Sequence, residues 1–310
     1  MTTAFYSHTD CRGHDMGAGH PECPDRLDAI EDHLIASGLG AALERREAPV
    51  VAMSDLGLAH ESRYVSELRE VLERVAIEGV PRAIDPDTVA APGTWGAVTR
   101  AAGAAVAATD AVIDGTFSNA FCSVRPPGHH ATRDQAMGFC FFNNVAVAAR
   151  HALDVRGLER VAIVDFDVHH GNGTEDIIAG DERVLMASFF QHPLYPYSGA
   201  VPMGTNMINV PVPPYTRGPA IRALIEDHWM ARLDDFRPQM VFVSAGFDAH
   251  RDDELGQLGL VEADYAWITT RIKDIAVRHA QGRIVSCLEG GYNLEALARS
   301  VAAHLRVLLE

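Results

Sequence analysis

Lysine is almost missing from this chain: Lys273 is the only one, and arginine supplies the rest of the 26 basic residues. Acidic residues number 42, so the net charge is −16 with histidine counted neutral. Phosphate contacts need clustered cationic side chains, and this balance argues against a nucleic-acid binder. It permits cationic substrates without demanding them. The weight of arginine and alanine reads as genomic base composition rather than function. Cysteine is also sparse. Cys11, Cys23, Cys122, Cys140 and Cys287 show no C-x-x-C spacing. An odd number in a long chain points to reduced thiols and a cytoplasmic setting, not to a disulfide scaffold. Met1-Thr-Thr-Ala-Phe-Tyr6 lacks the basic and apolar segments of a secretory signal. The apolar stretch Ala101–Ala108 is cut off by Thr109 and Asp110 and is too short to span a bilayer. No repeat, low-complexity tract or linker divides the chain, so one domain over residues 1–310 is expected.

What is present is a regular alternation. Hydrophobic residues make up 47% of the chain, enough for a sizeable core. Apolar runs predict strands over Ala4–Ser7, Ala120–Val124, Val161–Phe166, Val184–Phe189, Met240–Ala245 and Ile284–Leu288. Helical patterns cover Pro24–Ala36, Ser62–Ala76, Trp95–Ile113, Asn143–Leu153, Pro219–Phe236, Ala263–His279 and Leu294–Leu309. In the first, Leu27, Ile30 and Leu34 share a stripe, with Asp25, Asp28 and Asp32 opposite. Asn293 suits the N-cap of the last. Alternating β and α implies an α/β fold of three layers, α/β/α, around a central, mostly parallel sheet. Gly79–Thr94 and Gln191–Thr216 read as long irregular loops, suited to shaping a substrate site or to self-association as a homo-oligomer.

Four strand ends carry unusual polar sequences. Val161–Val164 runs into Asp165-Phe-Asp167-Val-His169-His170-Gly-Asn172-Gly173. Side chains alternate along a strand, so Asp165, Asp167 and His169 are expected on one side and Phe166, Val168 and His170 on the other. Two carboxylates and an imidazole at a strand end suit a divalent metal; a hydrogen-bonded cluster capping the next helix is the plainer reading. Ala120–Val124 leads into Arg125-Pro-Pro-Gly-His129-His130, where the histidines could also be turn filler. Met240–Ala245 ends in Gly246-Phe-Asp248, and Asp248 could simply cap the following segment. Ile284–Leu288 ends in Glu289-Gly-Gly-Tyr292, where the tyrosine could merely pack a helix start. In open parallel sheets ligands bind beyond the carboxyl ends of the strands. Four such ends gathering on one rim are hard to explain as structure alone. Two aspartates and a histidine could hold zinc with open positions for water and substrate, and such hard ligands leave iron(II) open.

This set resembles the histone deacetylase family, within the wider arginase–deacetylase fold. The matching motifs are His20-Pro-Glu-Cys-Pro-Asp-Arg26, Arg125–His130, Gly138-Phe-Cys-Phe-Phe-Asn-Asn144, Asp165–Gly173, Ser244-Ala-Gly-Phe-Asp248 and Glu289–Asn293, in family order. Asn172 and Glu289 look like the class II branch and its bacterial relatives. The resemblance implies a zinc-dependent amidohydrolase with Asp167, His169 and Asp248 on the metal. It makes His129 and His130 the tandem histidines, backed by Asp165 and Asn172, and Tyr292 the oxyanion donor. It implies a structural potassium ion held by Asp165 and Ser188 with carbonyls of Asp167, His169 and Phe189. Gly138, Phe139 and Tyr195 would line an acyl-lysine channel, Tyr195 replacing the usual phenylalanine. Leu255 falls near the rim gatekeeper and Asp87 matches the rim aspartate that grips a peptide backbone. The implied partners are an acylated lysine peptide or an acetylated small amine, with no nucleic acid and no membrane. An acetylpolyamine amidohydrolase would use the same residues. Acetoin-utilisation-type relatives share the motifs, arginase chemistry would need two metals, and an acyl-binding module would need little turnover.

Overall fold

The computed structural model describes residues 2–310. The strands are β1 (Thr3–Ser7), β2 (Leu43–Glu47), β3 (Arg82–Asp85), β4 (Thr88–Ala90), β5 (Asn119–Cys122), β6 (Val161–Asp165), β7 (Val184–Gln191), β8 (Met207–Val212), β9 (Val241–Ala245) and β10 (Ile284–Leu288). The helices are α1 (Asp25–Ala36), α2 (Met53–Ala59), α3 (Ser62–Glu78), α4 (Thr94–Ile113), α5 (Asn144–Asp154), α6 (Asn172–Ile178), α7 (Gly218–Ile225), α8 (Ala231–Phe236), α9 (Glu262–His279) and α10 (Leu294–Leu309). Among the described residues, eight strands form one sheet in the order β2-β1-β5-β10-β9-β6-β7-β8. Every pairing within it is parallel. Every residue of β5, β6, β9 and β10 is buried, because helices cover both faces of the sheet. Helices α1, α9 and α10 pack together in one layer, and α2, α3, α4 and α5 in another.

The expected α/β/α layering therefore holds, with local corrections. Leu27, Ile30 and Leu34 of α1 are buried as their spacing requires. Asn143 and Asn293 cap α5 and α10 by accepting the N–H of Ala146 and Ala296. The stretch expected as one helix over Pro219–Phe236 is interrupted by a π turn at Glu226–Met230, which buries Trp229. Gly79–Thr94 is not all loop: it contains the β3–β4 hairpin. Gln191–Thr216 likewise contains β8, an edge strand that tolerates Pro211 because its N–H side needs no further partner. At the other edge, β2 reads Leu-Glu-Arg-Arg-Glu and is exposed after its first residue, so it carries no apolar alternation. The four central strands β5-β10-β9-β6 are neighbours, and these are the four whose ends carry the polar motifs. Among the described residues, no helix is long and apolar enough to cross a membrane.

Candidate active site

Strand β6 stops at Asp165, so alternation along a strand is not what orients the motif after it. Carboxylates do that instead. The N–H of Asp167 donates to Asp165 Oδ1 at 3.1 Å and the N–H of His169 to Asp167 Oδ1 at 2.9 Å. These tight side-chain turns swing Asp167 and His169 toward β9, where Asp248 follows its own strand end. His169 Nδ1 lies 3.0 Å from Asp167 Oδ1 and 3.2 Å from Asp248 Oδ2. Asp165, expected on the same side, turns to His129 instead, and His129 Nδ1–H donates to its Oδ2 at 2.9 Å. Phe166 and Val168 sink into the core, and His170 is held by Ser198 Oγ at 2.9 Å.

The donor set fits a metal ion. One ligand atom from each of Asp167, His169 and Asp248 lies within 4.8 Å of the others. The backbone is cut away to let them meet: a Cβ on Gly290 would stand 2.0 Å from Asp248 Oδ2. Burial first, then the charge of Asp167, raises the Asp248 carboxyl to about 7. Two buried like charges at this spacing are relieved by a cation. One strand away, Ser188 pairs in register with Asp165, and its buried hydroxyl has no hydrogen-bond partner. An orphaned oxygen beside a carboxylate fits a monovalent cation.

Around this cluster stand the other groups. The rings of His129 and His130 lie 4.1 Å apart. His130 Nδ1–H donates to Asn172 Oδ1 at 2.7 Å, which leaves Nε2 as the basic nitrogen. Burial first, then the charges of His129 and His169, push the His130 pKa well below the usual value. Burial opposes charge on His129 too, but the carboxylates of Asp167 and Asp165 overcome it and hold its pKa high. Tyr292 is kept a neutral phenol by burial and by the charge of Asp248. A cavity of about 240 Å³ leads in from the surface past Asp87, Leu255, Phe139 and Tyr195 to His130, His169 and Tyr292. Gly138 belongs to its wall and adopts φ +57°, where a Cβ would meet the His130 ring at 2.4 Å. Asp87 Oδ1 accepts the Gly138 N–H at 2.9 Å, so it braces the wall as well as facing the rim. The Tyr195 hydroxyl is buried without a partner. Ser188 and Phe189 lie on β7, the strand beside β6, and both are buried.

Other residues were not legible as site residues. Glu289 accepts the N–H of Gly128 at 2.6 Å and of His129 at 3.1 Å, and Ser244 Oγ donates to it at 3.1 Å. Buried Arg26 donates through Nε to Gly291 O at 2.7 Å and lies 5.0 Å from the centre of the Tyr292 ring. Arg125 and Glu22, both buried, pair at 2.6 Å beneath it. Their only sequence signal was their place inside the motifs.

A histone deacetylase domain family matches residues 20–308. Over 283 residues the chain is 38% identical to a histone deacetylase-like amidohydrolase of Pseudomonas aeruginosa, covering 89% of this chain and 73% of that one. It is 36% identical to the human polyamine deacetylase HDAC10 over 327 residues, covering 100% of this chain and 48% of that one. The crystal structure of an HDA15 HD domain superimposes with a TM-score of 0.92 at 32% identity, covering 99% of this chain and 88% of that one.

Proposed function

From the premise that this chain belongs to the histone deacetylase family and is a hydrolytic deacetylase, we propose that it removes acetyl or other short acyl groups from acyl-lysine. One observation carries the reading. Four adjacent strand ends bring a metal-ligand triad, tandem histidines and a tyrosine to the floor of one narrow channel. Asp167, His169 and Asp248 hold a divalent ion, zinc in our reading. When bound, that ion supplies Lewis acidity to the amide carbonyl and to the attacking water.

The chain's own residues do the rest. Asn172 fixes the His130 tautomer, so Nε2 takes the proton from water and passes it to the leaving amine. His129, paired with Asp165, contributes positive charge beside the developing negative charge. Tyr292 donates its hydroxyl hydrogen to the oxyanion. Phe139 and Tyr195 wall the acyl-lysine stem, and Asp87 and Leu255 meet what lies outside. A carboxylate and a free amine leave. Asp165 and Ser188, with carbonyls of Asp167, His169 and Phe189, hold potassium. The whole chain acts as one catalytic unit, and its free cysteines suit the cytoplasm.

A second reading, hydrolysis of acetylated polyamines, is favoured by the likeness to a polyamine deacetylase and by Glu254, exposed beside Leu255. Measurement of kcat/KM on an acetyl-lysine peptide and on N-acetylputrescine decides between them. Preference for the peptide supports our proposal, and preference for the polyamine overturns its substrate assignment. Turnover of neither, with no other acyl amide accepted, overturns the activity.

A further inference from the structure

The loop between Asp248 and the rim residue Leu255 contains three consecutive acids, Asp252, Asp253 and Glu254. The outer two are exposed, whereas Asp253 is buried at 7% exposure. Burying a carboxylate is costly unless its oxygens are satisfied. Here backbone N–H groups satisfy them. Asp253 Oδ1 accepts the N–H of Leu255 at 3.0 Å. Its Oδ2 accepts the N–H of Tyr292 at 2.6 Å and of Asn293 at 3.0 Å.

The position of Tyr292 needs such a tether. It follows Gly290-Gly291, and Gly291 has φ +120°, so the preceding backbone is the most permissive kind. Arg26 holds the Gly291 carbonyl and packs on the Tyr292 ring, but it takes nothing from the Tyr292 main chain. Asp253 does. An oxyanion donor works only when held to within about half an ångström of its productive place.

We infer that Asp253 is a positioning residue that fixes Tyr292 over the reacting carbonyl and ties it to the rim at Leu255. One carboxylate grips both main chains, so the rim and the oxyanion donor are held in one fixed relation. This rests on Tyr292 being that donor, as proposed above.

The test is a double-mutant cycle on the metal-loaded enzyme with an acetyl-lysine peptide. Asn at 253 keeps the size of the side chain but turns one acceptor oxygen into a donor. We expect Asp253→Asn to lower kcat about 10- to 100-fold with KM changed less than about threefold. In the Tyr292→Phe background the same change should cost less than about threefold, because the group it positions is gone. Amide hydrogen exchange, read without turnover, should quicken within the set Leu255, Tyr292 and Asn293 in Asp253→Asn, whose single acceptor oxygen can serve only one side of the tether, and not in Tyr292→Phe. Equal loss in both backgrounds overturns the inference, as does unchanged exchange. Full activity of Tyr292→Phe alone overturns the oxyanion assignment and, with it, this role. If Asp253→Asn does not fold, Asp253→Ser, whose hydroxyl still accepts one N–H, is judged by the same criteria.

Discussion

Replacing Glu289 tests whether the tandem histidines stand where they do because of one buried acceptor. Glu289 is fully buried and receives the N–H groups of Gly128 and His129 and the hydroxyl of Ser244. In Glu289→Ala the hydroxyl can rotate, but the two N–H groups cannot. Each buried donor left unsatisfied costs about 1–3 kcal/mol, so the variant should lose about 2–6 kcal/mol. Glu289→Gln offers a different outcome. Its carbonyl still accepts both N–H groups, while its amide can face Ser244, whose oxygen can accept. Only the charge assistance is lost, about 1 kcal/mol for each of two bonds. Urea unfolding followed by tryptophan fluorescence reads the difference as a midpoint shift at constant slope. The turnover number should fall with Glu289→Ala, because the turn carrying His129 and His130 loses its anchor. Glu289→Gln should keep turnover within about tenfold of the parent. The reasoning fails if Ala costs less than about 1 kcal/mol, or if Gln costs more than Ala.

Further predictions concern the chemistry and the core. Tyr292→Phe should lose about 10²–10³-fold in kcat with the peptide substrate, as removal of other oxyanion donors does; near-normal turnover would remove Tyr292 from the mechanism. His130→Ala should lose more kcat than His129→Ala, since His130 transfers the proton and His129 supplies charge; the reverse order in steady-state assays would exchange their roles. His60 donates from Nδ1 to Thr132 O and accepts the Asn143 N–H at Nε2, so its neutral form is fully paired. Burial lowers its pKa to about 4. The unfolded chain therefore binds a proton below about 6.5 that the folded chain refuses, and stability falls as pH drops from there toward 4. The loss from His60 is on the order of 3 kcal/mol. Urea midpoints across that range should fall less steeply in His60→Gln than in the parent; parallel curves would refute the assignment.

The sequence announces the chemistry of this site more clearly than its geometry. Asp167, His169, Asp248, His129, His130 and Tyr292 stand out because polar residues at the ends of apolar runs have no other easy explanation. That their four strands are neighbours follows from crossover connections that no local pattern encodes. Strand β2 escapes a reading by alternation because it is an edge, where Arg45 covers the Phe5 ring with its guanidinium. Strand β8 escapes because Pro211 marks most such segments as loop. Asp253 looks like an ordinary acid in sequence, and Glu289 stands out only as part of its motif. Their work is to accept backbone N–H groups from distant segments, and a backbone group leaves no trace in residue type. Even where Asp165, Asp167 and His169 were expected together, the cause differs: side-chain turns, not strand alternation, separate Asp165 from the other two.

The central claim is that one metal ion, held by Asp167, His169 and Asp248, is required for hydrolysis of an acyl amide. The direct measurement is titration of chelator-stripped protein with zinc while following acetyl-lysine peptide turnover. The account predicts no turnover without metal and a linear rise that breaks at one equivalent per chain, abolished in Asp248→Ala. Full turnover of the stripped protein, or a break at two equivalents, would contradict it.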